Sequence, residues 1–201
     1  MKARQLLVLL CLAVLACEVK EVTSQARCSV PQWPSIPGIA EQNPVELASG
    51  KVLLVALMKG YCRYCWYQAQ NLESLKAHMW NRGFRDIEMI IVNGGSILSR
   101  TTIGNYAHYT NLTIYQDTED NTLYNLFGGD KDDFIFYNRC GQRAAFLPHP
   151  YSYLGRTYTE RVLRALHRGR SRCVCNLDPA PQSRGRRSAE YWKIATSKSN
   201  N

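Results

Sequence analysis

The stretch KVLLVALMKGYCRYCWYQAQNLESLKAHM, residues 51–79, limits the possible folds of this chain more than any other. An apolar run rich in Val and Leu ends at Gly60, two cysteines follow, and then Leu72, Leu75 and Met79 recur at intervals of three and four. A continuous apolar run of that length suits a strand buried on both faces, and the recurring apolar residues predict an amphipathic helix over 64–80 with its stop at Gly83. Cys62 and Cys65 therefore stand at the joint between a buried strand and the first turn of a helix.

The rest of the chain continues the alternation. IEMIIVN (87–93) reads as a second buried strand, punctuated by Gly94-Gly95. Residues 96–110 are weakly helical, and LTIYQD (112–117) suits a short edge strand. NTLYNLFGG (121–129) predicts a short helix, with Leu123, Leu126 and Phe127 on one side. DDFIFYNRCGQRAAFLP (132–148) gives two apolar runs around Asn138-Arg139-Cys140-Gly141, a hairpin signal. YTERVLRALHRG (158–169) is a last amphipathic helix, with Val162, Leu163 and Leu166 inward. This order predicts an α/β fold with a mixed sheet flanked by helices. Four of the eight prolines fall in residues 28–50, an irregular lead-in to one domain over 51–175.

The N-terminus begins with Lys2 and Arg4, runs unbroken and apolar from Leu6 to Ala16, and reaches Ser24-Gln25-Ala26. Residues 1–26 thus read as a secretory signal peptide, too short in its apolar part to span a bilayer, and the expected mature chain starts near Arg27. Cys11 and Cys17 leave with that segment, and Cys28, Cys62, Cys65, Cys140, Cys173 and Cys175 remain. An even count on a secretory route predicts disulfides, and an extracellular destination. On the same route Asn111, in the sequon Asn111-Leu112-Thr113, is an expected glycosylation site.

Charge is unevenly placed. Residues 161–201 hold ten basic and two acidic side chains, whereas residues 27–160 hold twelve of each sign. A neutral core argues against an active site that steers polyanions such as nucleic acid, and leaves the basic excess to the end of the chain.

A CxxC is a zinc half-site, a structural disulfide or a redox couple. A structural zinc site needs further cysteine or histidine partners; Cys173 and Cys175 are spaced as CxC, and His78, His108, His149 and His167 are scattered. The expectation is no metal and no cofactor. An inert disulfide bracing the helix start is the bland alternative. The redox reading is favoured by position: backbone N–H groups and the dipole at a helix start stabilise a thiolate. Cys62 would then be the nucleophile and Cys65 the resolving thiol, with Lys59 and Arg63 adding positive charge and Tyr64 and Trp66 lining a substrate face. Trp33, Trp80 and Tyr106 read as packing residues.

Several ordered blocks carry a family resemblance. KVLLVALMKGYCRYCWYQAQNLESL, IIVN before a small-residue turn and SR, DDFIFYNRCG, and LPHPYSYL before the last helix are together similar to the N-terminal domain of the selenoprotein P family. The resemblance covers roughly residues 28–175. It implies a secreted thioredoxin-like fold and a couple active towards peroxides or disulfides. Vertebrate members of that family carry selenocysteine at the position of Cys62. Thioredoxins set a cis-proline opposite their CxxC, just before the strand that begins here near Asp132, and GGDKDDF has none. The usual thioredoxin grip on polypeptides is therefore not carried over, and neither is selenium transport, because the family's histidine-rich and selenocysteine-rich stretches have no counterpart here.

Cys28 and Cys140 read as structural, each expected to pair with one of Cys173 and Cys175. Residues 176–201 read as a basic disordered tail suited to anionic, heparin-like glycans. Within it, Arg184, Arg186 and Arg187 match the pattern cut by secretory processing proteases. The leading expectation is a secreted thiol-disulfide oxidoreductase or peroxidase using Cys62 and Cys65, with an unspecified thiol reductant. The competing one is a binding or selenium-related carrier module with a vestigial couple, held to glycans by its tail.

Overall fold

A computed structural model describes residues 28–35 and 42–179. The signal segment, the processing arginines Arg184, Arg186 and Arg187, and the tail beyond residue 179 lie outside the described residues. In chain order the elements are α1 (Pro44–Leu47), β1 (Val52–Met58), α2 (Arg63–Asn81), β2 (Ile87–Asn93), α3 (Ile97–Thr101), a 3₁₀ turn (Ile103–His108), β3 (Thr113–Gln116), α4 (Thr122–Phe127), β4 (Phe134–Tyr137), β5 (Arg143–Leu147) and α5 (Tyr158–His167).

Five strands form one sheet in the order β3-β2-β1-β4-β5. β1 pairs parallel with β2 from Val52↔Ile87 to Met58↔Asn93, and β2 pairs parallel with β3. β4 runs antiparallel to β1, and β5 antiparallel to β4. The sheet is mixed and flanked by helices, the α/β class that the alternation of elements predicts. β1 is central and buried along its whole length, which explains why its sequence shows no polar alternation.

Alternate residues of β1 feed two cores. Val52, Leu54, Ala56 and Met58 pack with Cys65, Ala69, Leu72 and Met79 of α2 and with Val162, Leu163 and Leu166 of α5. Leu53, Val55 and Leu57 face the opposite layer, where Leu123, Tyr124 and Phe127 of α4 meet Val45 and Trp33. The lead-in is thus partly structured: α1 is capped by Asn43, whose side chain accepts from Val45 N, and it closes the second core. Tyr106 is fully buried, as a packing residue should be, but Trp80 is half exposed with the Arg85 guanidinium over its ring. Its position on the outer face of α2 lies away from the Leu72–Met79 stripe that faces the sheet.

Cys28 is bonded to Cys173, and Cys140 to Cys175. Both bridges fasten the chain that follows α5, one to the start of the described residues and the other to the β4–β5 turn. Asn111 is exposed at the entry to the edge strand β3, where its N–H donates to Glu73 Oε2 at 2.7 Å.

Candidate redox site

The topology brings two chain segments to one end of the sheet. β1 ends at Met58, and because β4 runs the opposite way its entry loop, residues 128–133, arrives at that same end. The crevice beyond the carboxyl ends of parallel strands is where open α/β sheets place their ligands. Here it holds the CxxC.

Cys62 is the N-cap of α2. Its backbone is extended and its sulfur accepts from Cys65 N at 3.4 Å, the capping role usually taken by Ser or Asp oxygens. Cys62 is half-buried, whereas Cys65, one turn on, is fully buried, and both are free thiols. The ammonium that reaches Cys62 Sγ comes from Lys131, at 3.8 Å. Arg63 is exposed in the first turn of α2, and the stem of Lys59 passes over Gly94.

Behind the pair sits Asp132. It is 3% exposed, and its Oδ1 accepts from Cys65 Sγ at 3.2 Å while its Oδ2 is paired with Lys131. The loop fixes it firmly: Asp132 N donates to Leu57 O at 2.7 Å, Leu57 N donates to Asp133 O at 3.0 Å, and Asp133 Oδ1 accepts from His149 N at 2.9 Å. Asp132 has φ 71°, a left-handed conformation that Asp tolerates better than most residues. The loop ahead of β4 therefore presents a carboxylate to the cysteines, and the one cis peptide among the described residues lies elsewhere, at His149-Pro150.

Burial, followed by the adjacent charge of Asp132, pushes the Cys65 thiol far above the ordinary cysteine range. For Lys131 desolvation works against the charge, but the hydrogen bond and charge of Asp132, with the two sulfurs, outweigh it and hold the ammonium above the usual lysine range. Burial and then Asp132 raise Tyr64 to about 12. At neutral pH the site thus holds a protonated Cys65, a charged Lys131 and a neutral Tyr64.

Tyr64 stands edge-on to His149 at 5.7 Å and lies against Tyr153 at 6.3 Å, so it lines the boundary between the couple and the 148–154 loop. Gln68 anchors that loop, donating to Ser152 O and accepting from Leu154 N. Trp66 faces inward: its indole N–H donates to Gly60 O at 2.7 Å, and its ring stacks on Tyr109. It braces the loop carrying Cys62.

The other end of that brace is Asn93, the fully buried last residue of β2. Its Oδ1 accepts from Gly60 N at 2.7 Å and from Ser99 Oγ at 2.7 Å, and its Nδ2 donates to Ser99 O and Gln116 Oε1. Gly60 is needed there because a Cβ would come within 2.7 Å of Ser99 O. Lys131, Asp132 and Asn93 escape the motif reading. Their signal is a polar residue abutting an apolar run, DKDD before FIFY and Asn93 after IEMIIV, which strand patterning alone treats as punctuation.

The family described as "Selenoprotein P, N terminal region" matches residues 23–199. The chain belongs to the selenoprotein P family. It is similar to human selenoprotein P, 32% identical over 160 residues that cover 77% of this chain and 41% of the human protein. It is likewise similar to selenoprotein Pb of Danio rerio, 31% identical over 163 residues that cover 79% of this chain and 60% of that relative. The selenoprotein P-like chain thus spans about two-fifths to three-fifths of these relatives' length. Among solved structures it resembles a thioredoxin-like protein in its oxidised form, with TM-score 0.53, 17% identity, and coverage of 71% of this chain and 97% of that one. It also resembles a DsbE-type thiol:disulfide interchange protein of Chlorobium tepidum, with TM-score 0.50, 14% identity, and coverage of 61% and 84%. The fold is thioredoxin-like.

Proposed function

We propose that this selenoprotein P-like chain is a secreted thiol oxidoreductase that reduces disulfides or peroxides through Cys62 and Cys65. The observation carrying the proposal is the asymmetry of the pair. Cys62 is partly open, capped by a helix N–H and faced by an ammonium; Cys65 is closed off, protonated and hydrogen-bonded to a carboxylate. Thiol–disulfide exchange needs that division of labour between an attacking and a resolving sulfur.

With a disulfide, the Cys62 thiolate attacks one substrate sulfur, the substrate S–S bond breaks, and the first thiolate leaves and takes a proton from water. Cys65 then gives its proton to Asp132 and attacks Cys62 Sγ, expelling the second thiolate and closing the Cys62–Cys65 disulfide. With a hydroperoxide, Cys62 takes the terminal oxygen as a sulfenic acid and releases an alcohol. Cys65 then condenses with it to expel water. In both cases the substrate gains two electrons, and an external thiol must return two to the enzyme.

Secretion is supported by the N-terminal segment and by two disulfides away from the couple, which persist in oxidising compartments. No helix among the described residues is long and apolar enough to cross a membrane. The test is turnover. We expect Cys62→Ser to bring insulin-disulfide and hydroperoxide reduction down to the uncatalysed rate, and Cys65→Ser to trap a covalent mixed disulfide on Cys62. Wild-type turnover no faster than the uncatalysed rate would exclude the enzyme and leave a binding module, and unchanged catalysed turnover in Cys62→Ser would remove Cys62 as the nucleophile.

A further inference from the structure

The sequence offers the CxxC no cysteine or histidine with which to complete a metal site, but the fold supplies a different third donor. Cys62 Sγ, Cys65 Sγ and a carboxylate oxygen of Asp132 all lie within 4.8 Å of one another. A tetrahedral zinc ion with bonds of about 2.0–2.3 Å sets its ligands about 3.5–3.8 Å apart, so only small adjustments separate these donors from a coordination triangle. We propose that the reduced couple binds one Zn²⁺ through Cys62, Cys65 and Asp132, and that this ion reversibly blocks the thiol chemistry.

The donor set favours that ion. Two thiolates select a soft or borderline d¹⁰ cation over Mg²⁺ or Ca²⁺, and one carboxylate is an ordinary zinc ligand. Three protein donors leave a fourth position for water, the open pattern of exchangeable rather than structural zinc. The two cysteines project from the start of α2 and the carboxylate from the loop before β4, so the ion would bridge two segments already pinned to β1.

Binding is gated by redox state. Zn²⁺ displaces one proton from each thiol, so the dithiol plus Zn²⁺ gives the dithiolate complex plus two protons. A disulfide oxidant reverses this: the complex, one RSSR and two protons give the Cys62–Cys65 disulfide, two RSH and free Zn²⁺. The oxidised couple has no thiolate left to ligate.

Lys131 sets the two activities against each other. Its ammonium is 3.8 Å from Cys62 Sγ and paired with Asp132, where it faces the attacking sulfur and repels a cation. Because its side chain is 41% exposed, it can swing into solvent when the ion enters. Removing it should weaken thiol chemistry and strengthen zinc binding, opposite effects that a merely structural role would not produce.

The inference uses the same dithiol as the proposed activity but does not depend on turnover, and its test reads metal binding directly. Purified protein, with its Cys62–Cys65 couple reduced or oxidised, is titrated with Zn²⁺ while proton release is followed, and with Cd²⁺ while thiolate-to-metal charge-transfer absorbance is followed. We expect one ion per reduced chain, none at this pair in the oxidised chain, at least about tenfold weaker binding in Asp132→Asn, and tighter binding in Lys131→Ala. Equal metal binding by the reduced and oxidised protein, or by Asp132→Asn and wild type, would overturn the site. If zinc binds as described and no disulfide or peroxide is turned over, the site stands and the oxidoreductase falls; turnover without zinc binding gives the reverse.

Discussion

At the scale of single residues, the two sulfurs of one motif have been made chemically unequal by what surrounds them. Cys65 is held as a thiol by burial and by the charge of Asp132, and this has a measurable consequence for stability. Unfolding would release that thiol to its ordinary value near ~8.5. The native state therefore keeps the proton more tightly than the unfolded state does. The associated stability is fully present below the unfolded pKa and is lost as pH rises above it. The oxidised protein has no such proton. Denaturant melts of the two redox forms from pH 7 to pH 10 should show the reduced form losing stability relative to the oxidised form above about pH 8.5, at up to about 1.4 kcal/mol per pH unit from this proton. A redox difference independent of pH would show that Cys65 is not so held. The nearness of Cys65 to Cys62 was legible in their spacing. That of Asp132 was not, because it comes from residues 67 positions apart meeting across the sheet end.

Among the elements, the strands and long helices were legible because burial and periodicity are local. The continuous apolar runs at 51–58 and 87–93 became β1 and β2, and the Leu72–Met79 spacing became the inner face of α2. What stayed hidden was the bracing between elements. Asn93 reads as the end of a strand, yet it joins β2 to the Cys62 loop, α3 and β3 through side-chain hydrogen bonds. Its burial makes the loss of those bonds costly, since the groups left behind are shielded from water. We expect Asn93→Ala to destabilise the protein by about 1–3 kcal/mol in urea melts. It should also slow alkylation of Cys62 by iodoacetamide, because the Gly60 N–H that fixes the loop loses one of its two acceptors. Normal stability and unchanged Cys62 reactivity would show that Trp66 and Ser99 alone suffice to hold the loop.

Across the whole molecule, the couple is separated from the two structural disulfides, which lie at the opposite end of β4 from Asp132. Cys140 is in the β4–β5 turn and pairs with Cys175, 35 positions on, whereas Cys28 pairs with Cys173 across 145 positions. Arg139 lies beside this cluster, 7% exposed in its side chain, and ties the turn to Asp178 at 3.4 Å and to His167 O at 3.2 Å. The end of the described chain is thus fastened by covalent links, whose cysteines stood out in the sequence as structural candidates, and by ionic links through Arg139, which did not. Crosslinks stabilise chiefly by restricting the unfolded chain, and the restriction grows with the logarithm of the loop. Replacing Cys28 and Cys173 together by Ser should therefore cost about 1 kcal/mol more than replacing Cys140 and Cys175, both losses falling in the range of about 2–5 kcal/mol. Peptide mapping of the non-reduced protein should recover the 28–173 and 140–175 links. Paired denaturant melts of the two double variants then decide the order: if the shorter link proves the more stabilising, the bridges act through packing around Arg139 rather than through the unfolded chain.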